Sequence, residues 1–191
     1  TYQAYRGDGT VARGWPSKDQ WVSFEDMWNI NLRDISSKNT GYSGEVHMIK
    51  DAINATAANT GIDARFILAM VMQESTGWTR APTTTFGPSG PNPGLLQSHG
   101  GPSCAEQAVC PYEDILGMIM QGALNGPDGV NIKSLLQQSS WRAEPADYYW
   151  AARLYNSGPY SMKPECHDNL SCYLSGATPS YASDIANRLR G

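Results

Sequence analysis

Glu74 is the residue in this chain best suited to move a proton. It closes a run from Gly61 to Ser75 that is almost wholly apolar: Gly-Ile-Asp-Ala-Arg-Phe-Ile-Leu-Ala-Met-Val-Met-Gln-Glu-Ser. The spacing predicts one helix, entered from the Asn59-Thr60-Gly61 turn. Asp63 is its N-cap, accepting from free N–H groups of the first turn. Phe66, Met70 and Glu74 fall on one stripe at four-residue spacing, with Ile67 and Val71 beside them. A solvated glutamate belongs on the opposite face. Here the carboxyl ends the apolar stripe, and Gly77 just beyond lets the chain open into a cleft. A carboxyl half-buried there should have a raised pKa, which suits a general acid near neutral pH. The plainer alternative is a helix-terminal Glu that packs its stem and reaches water.

Polar groups that would face such an acid come later in the chain. In Gly94-Leu95-Leu96-Gln97 the glycine permits close backbone approach, and Gln97 then presents an amide suited to a sugar. His99 lies nearby, and a loop histidine bonded to backbone is its simpler reading. Trp150-Ala151-Ala152-Arg153-Leu154-Tyr155-Asn156-Ser157-Gly158 follows. The order Glu-Ser at a helix end, then Gly-Leu-Leu-Gln, then Ala-x-x-Tyr-Asn-x-Gly resembles the soluble lytic transglycosylase and goose-type lysozyme families. Their pattern is Glu-Ser, Gly-Leu-Met-Gln, Ala-Tyr-Asn-x-Gly. The resemblance covers Gly61 to Gly158, with a fainter echo in the last helix. It implies a lysozyme-like, mainly α fold with a long loop or small β-hairpin forming one cleft wall. It also implies Glu74 as the acid, with Ser75, Gln97, Tyr155 and Asn156 lining the cleft. Gln97 and Asn156 would bond N-acetyl and hydroxyl groups, and the Tyr155 hydroxyl would steer Glu74 or the intermediate.

Glycosidic cleavage needs a proton for the leaving oxygen and stabilisation of an oxocarbenium-like state. A second carboxylate is hard to find. No Asp or Glu lies between Glu74 and Gln97, where goose-type lysozymes carry acidic residues. Asp63 is roughly 16 Å back along the helix at 1.5 Å per residue, too far for an inverting pair at about 6.5–9.5 Å. Asp128, Glu106, Glu113 and Asp114 would have to arrive through tertiary folding. Thr83, Thr84 or Thr85 would be the alternative, positioning a water. The census favours a single-acid mechanism and leaves water or an internal hydroxyl as the acceptor.

The rest of the chain must position these groups. Its 191 residues fit one domain, with 1–40 as an N-terminal wrap and 41–191 as the core. Net charge is −4 and pI about 5.3, which offers no basic face to nucleic acid or an anionic membrane. No apolar run reaches the length of a membrane span. Tyr2, Tyr5 and Trp15 should hold an irregular start, where Arg6-Gly7-Asp8 reads as a turn rather than an adhesion motif. Ser23 caps a helix bearing Phe24, Met27, Trp28 and Leu32. Val46, Ile49, Ile53 and Ala57 mark a second helix, and four prolines at 82, 88, 91 and 93 mark a long loop. Pro111 starts a helix, Asp128 or Gly129 opens a shorter one, and Pro145 precedes a helix whose alanines allow close packing on the central one. Thr178-Pro179 starts the last, with Tyr181, Ile185 and Leu189 as its core face. Six or seven helices result.

Cys104 with Cys110, and Cys166 with Cys172, form two C-x5-C pairs. Four cysteines allow three connectivities, and local pairing is the simplest. That spacing does not suit a zinc site with His167. Sequons at Asn54 and Asn169 and a start at Thr1 fit a processed, secreted, extracellular protein. Serine-elbow, phosphate-loop, H-E-x-x-H and C-x-x-C motifs are all missing, and three scattered histidines make neither a triad nor a metal face. No cofactor or metal is expected. The expected function is a monomeric muramidase hydrolysing the β-1,4 bond of peptidoglycan. A lytic transglycosylase giving a 1,6-anhydro end, a chitin-type substrate, or a non-catalytic glycan-binding protein are the alternatives.

Overall fold

Helix starts follow the capping chemistry of the sequence. The computed structural model describes residues 1–84, 86–87, 90–127, 130–158 and 163–191. In it α1 spans Phe24–Lys38, and Ser23 Oγ accepts from the Asp26 N–H at 3.1 Å. Next, α2 spans Ser43–Thr60 and stops at Gly61, whose φ of 74° few other residues tolerate. Asp63 then caps α3, Ala64–Ser75, accepting from the Arg65 N–H at 3.0 Å. A short antiparallel pair follows, β1 (Phe86–Gly87) with β2 (Gly90–Pro91). After α4, Tyr112–Met120, the chain continues as a π-helical segment, Gln121–Asn125. Three further helices complete the fold: α5 Ile132–Ser139, α6 Ala146–Ser157 and α7 Tyr181–Arg190.

The helix expected to be nearly all apolar is enclosed by three others. Phe66 to Met72 are all buried, and α1, α2 and α7 pack directly on α3. The N-terminal wrap contains 3-10 turns at Val11–Arg13 and Lys18–Gln20. It is pinned by Trp15, whose ring lies 5.4 Å from that of Tyr5 and 4.9 Å from that of Tyr149. The Trp150 indole N–H donates to the Asp8 carbonyl at 2.7 Å, and Asp8 Oδ1 accepts from the Thr10 N–H. Arg6-Gly7-Asp8 is therefore held as a turn.

Several expectations need correction. Leu32 is exposed, because the buried face of α1 continues through Ile35. The alanine-bearing helix α6 packs chiefly on α5 and α7, and meets α3 through the edge-on Phe66–Tyr148 ring pair at 5.0 Å. Asn131 starts α5: its backbone is extended and its Oδ1 accepts from the Ser134 N–H at 2.9 Å. Asp128 and Gly129, expected to open that helix, lie outside the described residues. The last helix begins at Tyr181, two residues after Pro179, because the Tyr181 N–H first closes a turn on the Thr178 carbonyl.

Both cysteine pairs are local, with S–S distances of 1.99 Å for Cys104–Cys110 and 2.03 Å for Cys166–Cys172. Closing a loop of this length stabilises by about 2.4 kcal/mol on the chain-entropy relation. A Cys104→Ser/Cys110→Ser variant should therefore lose about 2 kcal/mol in urea denaturation. An unchanged midpoint would mean that the loop is ordered without its bridge. Asn54 and Asn169 are both exposed. Among the described residues no helix is long and apolar enough to cross a membrane, and no group of three His, Cys, Asp or Glu could hold a metal.

Candidate active site

At the end of α3 the backbone turns sharply. Thr76 and Gly77 have φ of 57° and 71°, and a Cβ on Gly77 would lie 2.9 Å from Ile35 Cγ1. Glycine thus permits both the turn and the close approach of α1. The turn leaves Glu74 facing a cleft of about 410 Å³. Gln97, Ser98 and His99 line this cleft, as do Thr84, Tyr155 and Tyr181. Burial pushes the Glu74 carboxyl up to about 7, against an opposing pull from the Tyr181 hydroxyl. That hydroxyl donates to Glu74 Oε1 at 2.5 Å. Oε2 has no hydrogen-bond partner among the described residues. A protonated carboxyl can therefore be held through one oxygen while the other offers its proton to the cleft.

Tyr181 is the site residue that sequence reasoning did not single out. Burial, and then the neighbouring Glu74, hold its phenol well above the ordinary tyrosine range, so it stays a donor. Its spacing with Ile185 and Leu189 marked only a buried face, and period alone does not say where a phenol oxygen points. Tyr155, expected to steer Glu74, instead donates to the Leu96 carbonyl at 2.6 Å. Burial foremost, and then Glu74, raises its pKa as well.

The other expected cleft residues are tied largely to the scaffold. Ser75 Oγ lies 2.8 Å from the Leu95 carbonyl and 3.1 Å from that of Val71, so it fastens the Gly94–Gln97 turn to α3. Gln97, at a φ of 47°, donates to the carbonyls of Pro82 and Gly94. Its Oε1 accepts from the Thr84 hydroxyl at 2.8 Å. Asn156 Oδ1 accepts from the Thr178 N–H at 2.8 Å. Asn156 and His99 line the cleft. The π-helical segment after α4 completes the support. A Cβ on Gly122 would lie 2.6 Å from Leu96 Cβ and 3.0 Å from the Tyr155 hydroxyl, so only glycine fits beneath the turn.

Among the described residues no second Asp or Glu lines the cleft. Asp63 pairs with Arg65 at 2.7 Å and belongs to the start of α3. Burial alone would raise its pKa, but bonds from Arg65 outweigh this and hold it below the usual carboxylate range. Glu106 and Glu113 are exposed, and neither they nor Asp114 reach the cleft. Thr84 does reach it, Thr83 does not, and Thr85 and Asp128 lie outside the described residues.

No protein-family model, no curated protein and no solved structure matches the chain.

Tyr181→Phe separates orientation from mere packing. Removing the phenol leaves burial unopposed, so the Glu74 pKa should rise and the alkaline limb of the rate profile should move to higher pH. The rate at the optimum should fall about tenfold through lost positioning. Tyr155→Phe, which removes bonds to Leu96 and Ser98 but none to Glu74, should leave that limb in place. A Tyr181→Phe profile superimposable on the wild type would remove Tyr181 from the site.

Proposed function

We propose that the protein is a secreted muramidase, hydrolysing the β-1,4 bond between N-acetylmuramic acid and N-acetylglucosamine with Glu74 as general acid. The observation that carries this reading is the isolated carboxyl at the cleft, pushed by burial to about 7 and held through one oxygen by Tyr181. Below that pH it is protonated, as protonation of a leaving glycosidic oxygen requires, and positioned proton transfer contributes about 10² to 10⁴ in rate. Ser75, Gln97, Gly122 and Tyr155 keep the Gly94–Gln97 turn against the acid, so substrate meets a preorganised wall. The two disulfides and the exposed sequons support an extracellular setting.

A second reading draws on the lack of another carboxylate among the described cleft residues. With one acid, the 6-hydroxyl of the substrate would attack the anomeric carbon, directly or after transient participation of the acetamido group, giving a lytic transglycosylase and an anhydro end. Mass spectrometry of products from purified peptidoglycan in H₂¹⁸O separates the two. A labelled reducing end means hydrolysis, and unlabelled products lighter by one water mean transglycosylation. Release of nothing by the wild-type protein would sink both and favour a glycan-binding role.

A further inference from the structure

A second cavity, of about 470 Å³, lies beside the cleft between α1, the end of α3 and α7. Gln73 lines both spaces, so one side chain is the partition between them. Tyr181, Asp184 and Arg188 follow at helical spacing along α7, a stripe that leads from the partner of Glu74 into this chamber. Seven residues of helix span about 10 Å, which puts Arg188 within reach of a neighbouring unit of a glycan held at Glu74. The partition is held from the chamber side, by a long bond from Gln73 Nε2 to Asp184 Oδ2 at 3.4 Å and a shorter one from Arg188 Nε to Gln73 Oε1 at 2.8 Å.

Arg188 is the unusual feature of the chamber. Its Nε donates to Gln73 Oε1 at 2.8 Å, while its two Nη groups have no hydrogen-bond partner among the described residues. No carboxylate lies within 4.0 Å of it among those residues. Asp184 is engaged elsewhere, accepting from the Tyr2 hydroxyl at 2.6 Å and from Ser180 Oγ at 3.0 Å. Burial lowers the Arg188 pKa, and Asp184, Tyr181 and Asp34 only partly offset this. A half-buried guanidinium is costly to leave unpaired, and its planar fork matches a carboxylate in two parallel bonds. Ile30, Asn31 and Asn187 line the same chamber with neutral side chains, and Asp184 is the carboxylate side chain that lines it.

We propose that this chamber extends the cleft and takes the carboxylate-bearing arm of the glycan, the carboxylate pairing with the Nη groups of Arg188. The proposal rests on the muramidase reading and narrows its substrate: chitin has no such arm, peptidoglycan does. The carboxylate has two sources: the free lactyl group of an N-acetylmuramic acid without a stem, or, where a stem is amide-bonded to that group, a carboxylate of the stem itself.

The test compares kcat/KM on peptidoglycan chains with stems, on chains stripped of stems and on chitin oligomers. In Arg188→Gln the preference for peptidoglycan over chitin should fall at least tenfold, through KM rather than kcat. Asn31→Asp, which puts a repelling carboxylate into the same space, should lower it in the same direction. A fall already seen with stripped chains identifies the lactyl group; one confined to intact chains identifies the stem. An unchanged preference in both variants overturns the proposal. Should the wild type cleave none of these glycans, the muramidase reading fails separately. The chamber is then judged by NMR titration with N-acetylmuramic acid and muramyl dipeptide against N-acetylglucosamine. A shift of the Arg188 Nε–H resonance with a carboxylate ligand alone supports it; no selective shift overturns it.

Discussion

Glu74→Gln is expected to lower peptidoglycan cleavage by about 10² to 10⁴ or more, and at the same time to make the fold less sensitive to alkali. An unfolded glutamate titrates near 4.3, whereas burial holds the folded one at about 7. Between those values the native state binds a proton that the unfolded state has lost, so stability falls as pH rises. The favourable contribution is complete below the unfolded pKa and gone above the folded one. Its size is about 4 kcal/mol, at 1.36 kcal/mol per unit of pKa. Glutamine does not titrate, so the variant should lack this decline. Urea denaturation at pH 5 and pH 8 measures it, beside product release at pH 6. A wild-type stability that is flat across this window would mean the carboxyl is hydrated and not the acid described. The two readouts are independent: one reports burial of the group, the other its use.

The largest loss of stability should come from a site away from the chemistry. Glu45, in the first turn of α2, and Arg80 are both nearly inaccessible, at 7% and 8% exposure. The guanidinium bonds both carboxylate oxygens, at 2.7 and 3.0 Å. The Cys110 N–H adds a third bond at 3.2 Å, and the Thr79 hydroxyl lies 2.8 Å from Oε2. Burial alone would raise the Glu45 pKa, but Arg80, Thr79 and Cys110 together outweigh it and hold the carboxyl below its usual range. Glu45→Ala leaves the Arg80 charge buried without its partner, which costs about 3–5 kcal/mol. Glu45→Met/Arg80→Met removes both charges and should be milder than the single change. If the double variant proved the less stable of the two, the pair would be worth more than its desolvation cost. Because the lowered pKa gives stability that is lost on acidification, the wild type should also unfold below about pH 4 partly through this pair.

How much of this was legible in the sequence depended on distance along the chain. Asp63, the apolar run after it and Glu74 sit within one helix, so a period and a cap were enough to place the carboxyl. The local cysteine pairs were legible for the same reason. Glu45 and Arg80 are 35 residues apart, and a glutamate in the first turn of a helix already has an ordinary explanation in the helix dipole. Tyr181 is 107 residues from Glu74, and its apolar ring satisfies the helical pattern without any account of its oxygen. Resemblance put Ser75 and Gln97 at the cleft; Gln97 lines it, whereas Ser75 stands behind its wall. That their polar atoms mainly fasten one segment to another depends on carbonyls of Leu95, Pro82 and Gly94, which side-chain patterns do not reveal.

The fastening by Ser75 has a consequence for how the protein opens. The hydroxyl that reaches the Leu95 carbonyl belongs to the residue next to the acid, so fraying of the last turn of α3 must release the neighbouring loop in the same event. The backbone amides of Thr76 and of Gln97, twenty-one residues apart, should therefore exchange their hydrogens at a common rate. Both would slow together when a ligand occupies the cleft. The corner around Glu74 would then be a single cooperative unit, closed or undone as a whole.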